Sequence, residues 1–183
     1  MFISVRELRI HRTEYEEKFG PGVIDLGPEI RQLAPLDTSG RAELLEEHRG
    51  GREGTVADIR LVGGLTTQIE LACARCLDPV QNQVERKFDL LYRPLGVDRR
   101  ADEAAIHEAD TEIGYYEGEG LLLEDVLREQ VLLAVPIRLL CQDGCKGLCP
   151  QCGRNLNRET CNCAAPANSE RWAALKEIKD RLP

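Results

Sequence analysis

The chain has 183 residues, enough for one domain with a hydrophobic core and a small additional module. No apolar run approaches the ~20 residues that a membrane-spanning helix needs, and the charges at Arg6 and Glu7 are unlike a secretory signal. The net charge of -8 argues against a general polyanion binder. We therefore expect a cytoplasmic protein in a reducing compartment, without a membrane partner.

The first predicted elements are strands separated by glycine-rich turns. Phe2 to Arg9 can form an edge strand, and Gly20-Pro21-Gly22 marks a loop. Residues 42–48 and 55–62 have strand-like composition and flank Arg-Gly-Gly-Arg at 49–52. A single Arg-Gly-Gly-Arg between two strands indicates a hairpin turn, in preference to an RNA-binding fragment.

A second hairpin is predicted at Gly63-Gly64. Apolar residues alternate before and after the two glycines, at Ile59 and Leu61 and again from Leu65. A three-residue loop ending at Gly64 pairs Leu61 with Leu65 and keeps one face apolar, whereas a two-residue loop scatters the apolar groups.

Two further features follow in the chain. Cys73-Ala-Arg-Cys76 precedes another alternating run, 80–92, so the two cysteines should lie at the tip between two strands of a half-buried antiparallel meander. The segment 98–119 contains eight acidic residues against two arginines and is expected to be a long loop.

Two helices complete the prediction. Residues 121–134 have helical apolar spacing, and Pro136 should end that helix near Ala134. A final helix at 166–183 begins near Asn168-Ser169, which are good capping residues. The predicted fold is α+β: an antiparallel meander covered by a helix over 1–137, and a Cys-rich, zinc-ribbon-like module at 138–165.

Cysteine spacing is the strongest chemical signal. Eight cysteines in a reducing compartment favour metal over disulfides. Cys149-Pro-Gln-Cys152 followed by Cys161-Asn-Cys163 can place four thiolates around one tetrahedral ion, with Gly153 tolerating the turn after the second ligand. Four sulfur ligands leave no open position, so this zinc site would be structural.

The remaining four cysteines suggest a second structural zinc. They are Cys73, Cys76, Cys141 and Cys145. Two alternatives stay open from sequence: these pairs are reduced thiols, or Cys141 and Cys145 compete for the site of Cys161 and Cys163. Redox activity of the first pair is disfavoured, because a low-pKa thiol usually lies at a helix N-terminus and this one lies between strands.

Catalytic patterns are missing from the sequence, so we predict a protein that is not an enzyme and has no small-molecule substrate. His11, His48 and His107 form no nucleophile or HExxH pattern. From residue 138 onward there are eight Lys/Arg against five Asp/Glu. Candidates for RNA contact are Arg138, Lys146, Arg154 and Arg158, although such a charge run is usually only a solvated face.

The sequence resembles the YceD-like family, named for accumulation of large-subunit ribosomal RNA in bacteria and plastids. The likeness is carried by Cys73-Ala-Arg-Cys76-Leu77, by the helix end at 129–136, and by the string from Leu140 through Cys-Lys-Gly-Leu-Cys-Pro-Gln-Cys-Gly to Asn157. It covers roughly residues 41–163. Some family members lack the CPxCG tail, which implies that the tail stabilises or docks and that the Cys73–Cys76 tip lies nearer the shared function.

The resemblance implies a non-catalytic ribosome-biogenesis factor that supports synthesis, processing or stability of large-subunit ribosomal RNA. Its expected partner is a large-subunit RNA precursor, through the basic tail, or a basic ribosomal protein, through the acidic body. The alternative is a zinc-stabilised cytosolic adaptor between proteins, unrelated to ribosomes.

Overall fold

The computed structural model describes residues 1–48, 55–97 and 113–163, except for the side chains of Glu47 and His48. The chain forms two compact units. The first contains Met1–Leu71 and Pro79–Ile137, and the second contains Ala72–Asp78 and the chain from Arg138 onward. The sequence-based division placed the Cys73–Cys76 turn with residues 1–137, whereas here residues 72–78 group with the C-terminal part of the chain.

Eight strands and two helices lie in the described part of the chain. In order, they are β1 (Phe2–Ser4), α1 (Val5–Leu8), β2 (Thr13–Phe19), β3 (Arg31–Gln32), β4 (Leu36–His48), β5 (Thr55–Ala72), β6 (Pro79–Pro94), β7 (Ile113–Tyr116), β8 (Gly120–Leu122) and α2 (Leu123–Ala134). None of the helices described is long and apolar enough to cross a membrane.

The main sheet has six strands in the order β2-β4-β5-β6-β7, with β3 paired to β5. The β2–β4, β3–β5 and β4–β5 pairs are antiparallel, and β6–β7 is parallel. A second, two-stranded sheet joins β1 to β8. The fold is therefore α+β with a mostly antiparallel sheet, which confirms the predicted class at that level.

The core of the first unit lies between this sheet and α2. Leu123, Val126, Leu127 and Val131 are buried on one stripe of the helix. Gln130 on the same stripe is also buried, and Arg86 Nε on β6 donates a 2.8 Å hydrogen bond to its Oε1. The sheet contributes alternating residues to the same core, including Ile59, Leu61, Leu65, Ile69, Val84 and Phe88.

The predicted helix at 121–134 is present but begins two residues later, at Leu123. It ends at Ala134, as Pro136 required, but its first two predicted residues belong to β8 and pair with β1. At the N-terminus, the predicted strand from Phe2 to Arg9 stops at Ser4. The Ser4 hydroxyl accepts a hydrogen bond from Arg6 N and caps the one-turn helix α1 instead.

Part of the predicted acidic loop is also a strand. Residues 113–116 form β7 and pair in parallel with Leu91 to Pro94, so the loop prediction over 98–119 is wrong for those residues. The part at 98–112 lies outside the described residues, as do the predicted turn at 49–52 and the predicted helix at 166–183. The strands flanking that turn pair as expected, with His48 opposite Thr55.

The predicted hairpin at Gly63-Gly64 does not exist. Both glycines lie inside β5, opposite Gly40 and Ser39 of β4. From Ile59 to Ile69 the buried positions of β5 are odd-numbered on both sides of the glycines: Ile59 and Leu61 before them, Leu65 and Ile69 after them. The alternation keeps its phase across the two glycines, so an uninterrupted strand satisfies it there without a turn.

Close approach of neighbouring atoms explains Gly63. A Cβ there would lie 2.5 Å from Tyr15 Oη and 2.7 Å from the Ser39 carbonyl oxygen. Gly40, its partner on β4, is equally crowded by the Tyr15 hydroxyl. Glycine in a strand interior often marks such a site, where a ring or another backbone packs directly on the strand.

This packing predicts that alanine substitutions at the adjacent glycines Gly63 and Gly64 differ in their effect on stability. Gly63→Ala should lower the free energy of unfolding by about 2 kcal/mol, within the range for overpacking a filled site. Gly64→Ala is the matched control, because its Cβ meets its nearest neighbour, the Arg86 carbonyl oxygen, at 3.4 Å. That variant should change stability by less than about 1 kcal/mol. Equal denaturation midpoints for the two variants would contradict the packing assigned to Gly63.

Candidate metal centres

The second unit contains two clusters of four cysteines. We call Cys73, Cys76, Cys141 and Cys145 the turn cluster, and Cys149, Cys152, Cys161 and Cys163 the tail cluster. Within each cluster all four sulfur atoms lie within 4.8 Å of one another. The structure thus brings together each of the two sets of cysteines that spacing suggested, and it groups Cys141 and Cys145 with the turn rather than with Cys161 and Cys163.

The spacing of the sulfurs fits a tetrahedral metal ion. In the turn cluster, Sγ of Cys73 and Sγ of Cys145 are 3.8 Å apart, and those of Cys76 and Cys141 are 3.6 Å apart. A tetrahedron with metal–sulfur bonds of ~2.3 Å has edges of ~3.8 Å. Four thiolates are the usual ligands of structural zinc, so donor type and geometry agree.

In each cluster, backbone N–H groups favour the thiolate form of a cysteine. The N–H groups of Cys76, Arg75 and Cys141 hydrogen-bond Cys73 and, against the effect of burial, lower its pKa to about 6. In the tail cluster, the N–H groups of Cys152 and Gln151 likewise lower the pKa of Cys149 to about 6. Amide dipoles that point at a sulfur favour its anionic form.

Cys76 in the turn cluster and Cys163 in the tail cluster hold their protons. The N–H of Asp78 lowers the pKa of Cys76, but burial and the neighbouring thiols outweigh it and raise that pKa to about 12. The pKa of Cys163 also rises to about 12, through its contact with Cys152 and through burial. Thiolates this close repel one another, and a bound dication would remove that repulsion.

The two Cys-x-x-Cys turns have the same backbone hydrogen bond. Leu77 N donates to the Cys73 carbonyl at 3.0 Å, and Gly153 N donates to the Cys149 carbonyl at 2.9 Å. The residue after the second cysteine has positive φ in both, 61° at Leu77 and 72° at Gly153. Leu77 is the one non-glycine residue with positive φ in the described chain, and its side chain is 65% exposed.

Two asparagines form hydrogen bonds around the turn cluster. Asn157 Nδ2 donates to Sγ of Cys145 at 3.3 Å, and its Oδ1 accepts from Lys146 N at 2.8 Å. Asn155 Nδ2 donates to Asp78 Oδ2 at 2.8 Å, while its Oδ1 accepts from Asn157 N at 3.0 Å. These contacts hold the two segments that supply the sulfurs at fixed positions.

Arg75 also joins these two segments through hydrogen bonds. Its Nη1 donates to the Cys145 carbonyl at 2.6 Å, and its own carbonyl accepts from Leu148 N at 3.1 Å. Sequence reasoning assigned no role to Arg75, Asp78, Asn155 or Asn157. The available signal was the Asn-Leu-Asn string, which carried the family likeness without a physical explanation.

The described part of the second unit has almost no apolar core. Its buried side chains are Cys73, Cys76, Cys145 and Cys149. None of the described residues that form the hydrophobic core cluster belongs to this unit. Burial of Leu, Ile, Val or Phe therefore does not offset the entropy of ordering these described residues, and we expect their order to depend on what joins the sulfurs.

The four basic candidates for RNA contact differ in their surroundings. Arg158 pairs with Asp78 at 3.1 Å, and Arg154 lies 4.0 Å from Glu159. Arg138 and Lys146 are exposed and form no ion pair with any residue that the structure describes. These two therefore keep their full charge for an external anion.

Comparison with known proteins agrees with these motifs. The family described as Large ribosomal RNA subunit accumulation protein YceD matches residues 61–179, which is more than half of the chain. The chain belongs to the YceD family. The matched region contains all eight cysteines, both asparagines and Leu77.

Individual relatives of the YceD family support the assignment. A chloroplastic Large ribosomal RNA subunit accumulation protein YCED homolog 1 of Arabidopsis thaliana is 24% identical over 145 residues, 68% of this chain and 45% of the relative. The Zea mays protein of the same name is 27% identical, covering 66% of this chain and 48% of the relative. An uncharacterized Mycobacterium tuberculosis protein is 34% identical over 149 residues, which cover 81% of this chain and 64% of the relative.

The chain thus spans roughly half to two thirds of the length of the curated relatives it matches. No solved structure matches it.

The protonation of the clusters predicts how zinc affinity depends on pH. Zinc must displace the protons held by Cys76 and Cys163. For each displaced proton, the apparent zinc affinity should fall about tenfold for every unit by which the pH is lowered. Below pH 6, Cys73 and Cys149 also protonate, because their pKa is about 6, and the decline should steepen. Chelator competition between pH 8 and pH 5 measures this. An affinity independent of pH would contradict thiolate ligation.

Asn157 should control metal affinity at the turn cluster. Asn157→Ala removes the hydrogen bond to Cys145 Sγ and should weaken zinc binding there about 10- to 100-fold, as is usual for groups that orient a ligand. Asn162→Ala is a matched control, since Asn162 is an exposed asparagine between Cys161 and Cys163. Competition with a chromogenic chelator should show the loss for Asn157→Ala alone. Identical curves for both variants would refute the role of Asn157.

Substitutions of the residue that follows each Cys-x-x-Cys turn, Leu77 or Gly153, should have opposite effects on stability. Positive φ costs a leucine about 1–2 kcal/mol, and glycine avoids that cost. After the added chain entropy of glycine, Leu77→Gly should leave stability unchanged or raise it by up to ~1 kcal/mol. Gly153→Leu should lower it by about 1–2 kcal/mol. Thermal unfolding of the zinc-loaded protein measures both, and a large loss for Leu77→Gly would show that Leu77 is needed for folding.

Proposed function

We propose that this protein is a non-catalytic ribosome-biogenesis factor that supports synthesis, processing or stability of large-subunit ribosomal RNA. The observation that carries the proposal is membership of the YceD family, together with plant relatives whose names refer to accumulation of the large ribosomal RNA subunit. Because the chain spans only part of those relatives, their role comes to this protein as a proposal.

The chemistry of the two clusters supports a structural role for metal. Four sulfur ligands fill the tetrahedral coordination of zinc, and a catalytic zinc needs an open position for water or substrate. We assign one structural zinc to the turn cluster and one to the tail cluster. With both sites closed, the described residues offer no metal-activated nucleophile, so the protein acts by binding.

The proposed partner is a large-subunit RNA precursor or a basic ribosomal protein. We propose that binding takes place in the cytoplasm of a bacterium. Net charge of -8 favours a basic protein partner for most of the surface. RNA contact is assigned to Arg138 and Lys146, which have no ion-pair partner among the described residues. Arg154 and Arg158 contribute less, since Glu159 and Asp78 already neutralise part of their charge.

A second candidate function is an adaptor that joins two cytosolic proteins without any ribosomal role. Leu77 favours this alternative, because an exposed leucine held at positive φ contributes little to folding and suits a contact with another protein.

Depletion of the protein in its own host tests the proposed function. The amount of large-subunit ribosomal RNA should fall relative to small-subunit RNA, and the tagged protein should co-sediment with large-subunit precursors at moderate salt. A Cys73→Ser/Cys76→Ser variant should not restore the RNA ratio, because it removes two ligands of the turn cluster. An unchanged ratio, with the protein remaining in the unbound fractions, would favour the adaptor.

A further inference from the structure

An aromatic cleft in the first unit is not explained by the metal centres or by the core. It has a volume of about 400 Å³ and lies among β1, β8, β6, β7 and the start of α2. Tyr92 and Tyr116 are buried beneath it, and Phe2, Tyr115 and Leu122 are each close to half exposed. A soluble protein rarely leaves several large apolar side chains exposed in one concave place without a binding role.

The rim of this cleft is acidic. Glu117, Asp125 and Glu129 line it, all three are exposed, and none of the described residues that line it is Lys, Arg or His. The three carboxylates form no ion pair within the part of the chain that the structure describes. Neighbouring acids differ, since Glu119 pairs with Arg6 and Glu124 pairs with the N-terminal amine.

Two of the rim carboxylates repel each other. Asp125 and Glu129 are four residues apart on α2, so they lie on the same helix face. Asp125 is favoured by the positive end of the helix dipole in the first turn, but Glu129 lies one turn further on and gains much less. Burial and the charge of Glu129 raise the pKa of Tyr92 to about 12, and both residues line the cleft.

The floor is held rigidly, which suits a preformed binding site. Tyr116 Oη donates a 2.7 Å hydrogen bond to the Ala57 carbonyl, which fixes its ring between strands. Tyr92 and its neighbours on β6 pair in register with β7, with Tyr92 opposite Gly114. A ligand that enters here therefore meets fixed aromatic surfaces, and little ordering cost opposes its binding.

We propose that this cleft binds an arginine-bearing segment of a basic partner protein. A guanidinium stacks on exposed aromatic rings and forms paired hydrogen bonds with carboxylates, so it matches both the walls and the rim. RNA is disfavoured as the occupant, because three unpaired carboxylates repel phosphate. The assignment goes beyond the proposed function by giving one surface and the chemistry of the partner that it accepts.

The first test uses the zinc-loaded full chain and a short fluorescent peptide that alternates arginine and glycine. Its matched control peptide carries citrulline in place of every arginine, which removes the charge and keeps the shape. Fluorescence anisotropy should show saturable binding of the arginine peptide, weakened by added salt, and no binding of the citrulline peptide.

Variants locate the binding on the protein. Asp125→Asn/Glu129→Gln should weaken the arginine peptide about tenfold, consistent with the loss of two solvent-accessible ion pairs. The control is Glu16→Gln/Glu85→Gln, which changes net charge equally at exposed residues that line another groove and do not line this cleft. Phe2→Thr should also weaken binding, through the lost aromatic surface, while the salt dependence persists.

Several outcomes would overturn the proposal. Absence of saturable binding, or equal weakening by the rim variant and its control, would show that the cleft does not select arginine. An RNA oligonucleotide that competes for binding and loses affinity in Phe2→Thr would assign the cleft to RNA. A concentration-dependent dimer abolished by Phe2→Thr would assign it to a second copy of the chain. Co-sedimentation of the unaltered protein with ribosomal precursors is a separate measurement, so the proposed function can hold or fail independently of the occupant of the cleft.

Discussion

Repulsion between closely spaced thiolates is the constraint on which the second unit depends. Four sulfurs within 4.8 Å of one another cannot all be ionised unless a cation lies among them. Without a metal, the backbone favours a thiolate at Cys73 and at Cys149 while neighbouring thiols retain protons. Because the described residues of this unit bury cysteines and no aliphatic core, we propose that metal binding and folding there are one equilibrium.

The arrangement around the sulfurs supports the proposal that the protein acts by binding. Backbone N–H groups, Arg75 and Asn157 fix the ligands in place, which gives a rigid module. The module leaves Leu77 exposed at a strained backbone position, and it leaves Arg138 and Lys146 without ion partners among the described residues. Such a surface can hold a partner, as the proposed role in ribosome biogenesis requires.

The sequence predicted those features that depend on local chemistry. Pro136 determined the end of α2, and cysteine spacing suggested the two sets whose sulfurs the structure brings together. It did not predict the continuous strand β5, because two adjacent glycines also suit a turn and the Tyr15 contact that explains Gly63 is distant in sequence. The parallel β6–β7 pair was missed because β7 has only four residues and lies in an acidic segment whose composition is typical of a loop.

Metal content of protein purified under reducing conditions without added zinc shows whether metal ions join the sulfurs of the two clusters. The account predicts two zinc ions per chain, with one lost in Cys73→Ser/Cys76→Ser and the other lost in Cys149→Ser/Cys152→Ser. Chelation should expose the amides of residues 138–163 to hydrogen exchange and leave those of β5 protected. Protein that contains no metal, has eight free thiols and keeps residues 138–163 protected would contradict the account.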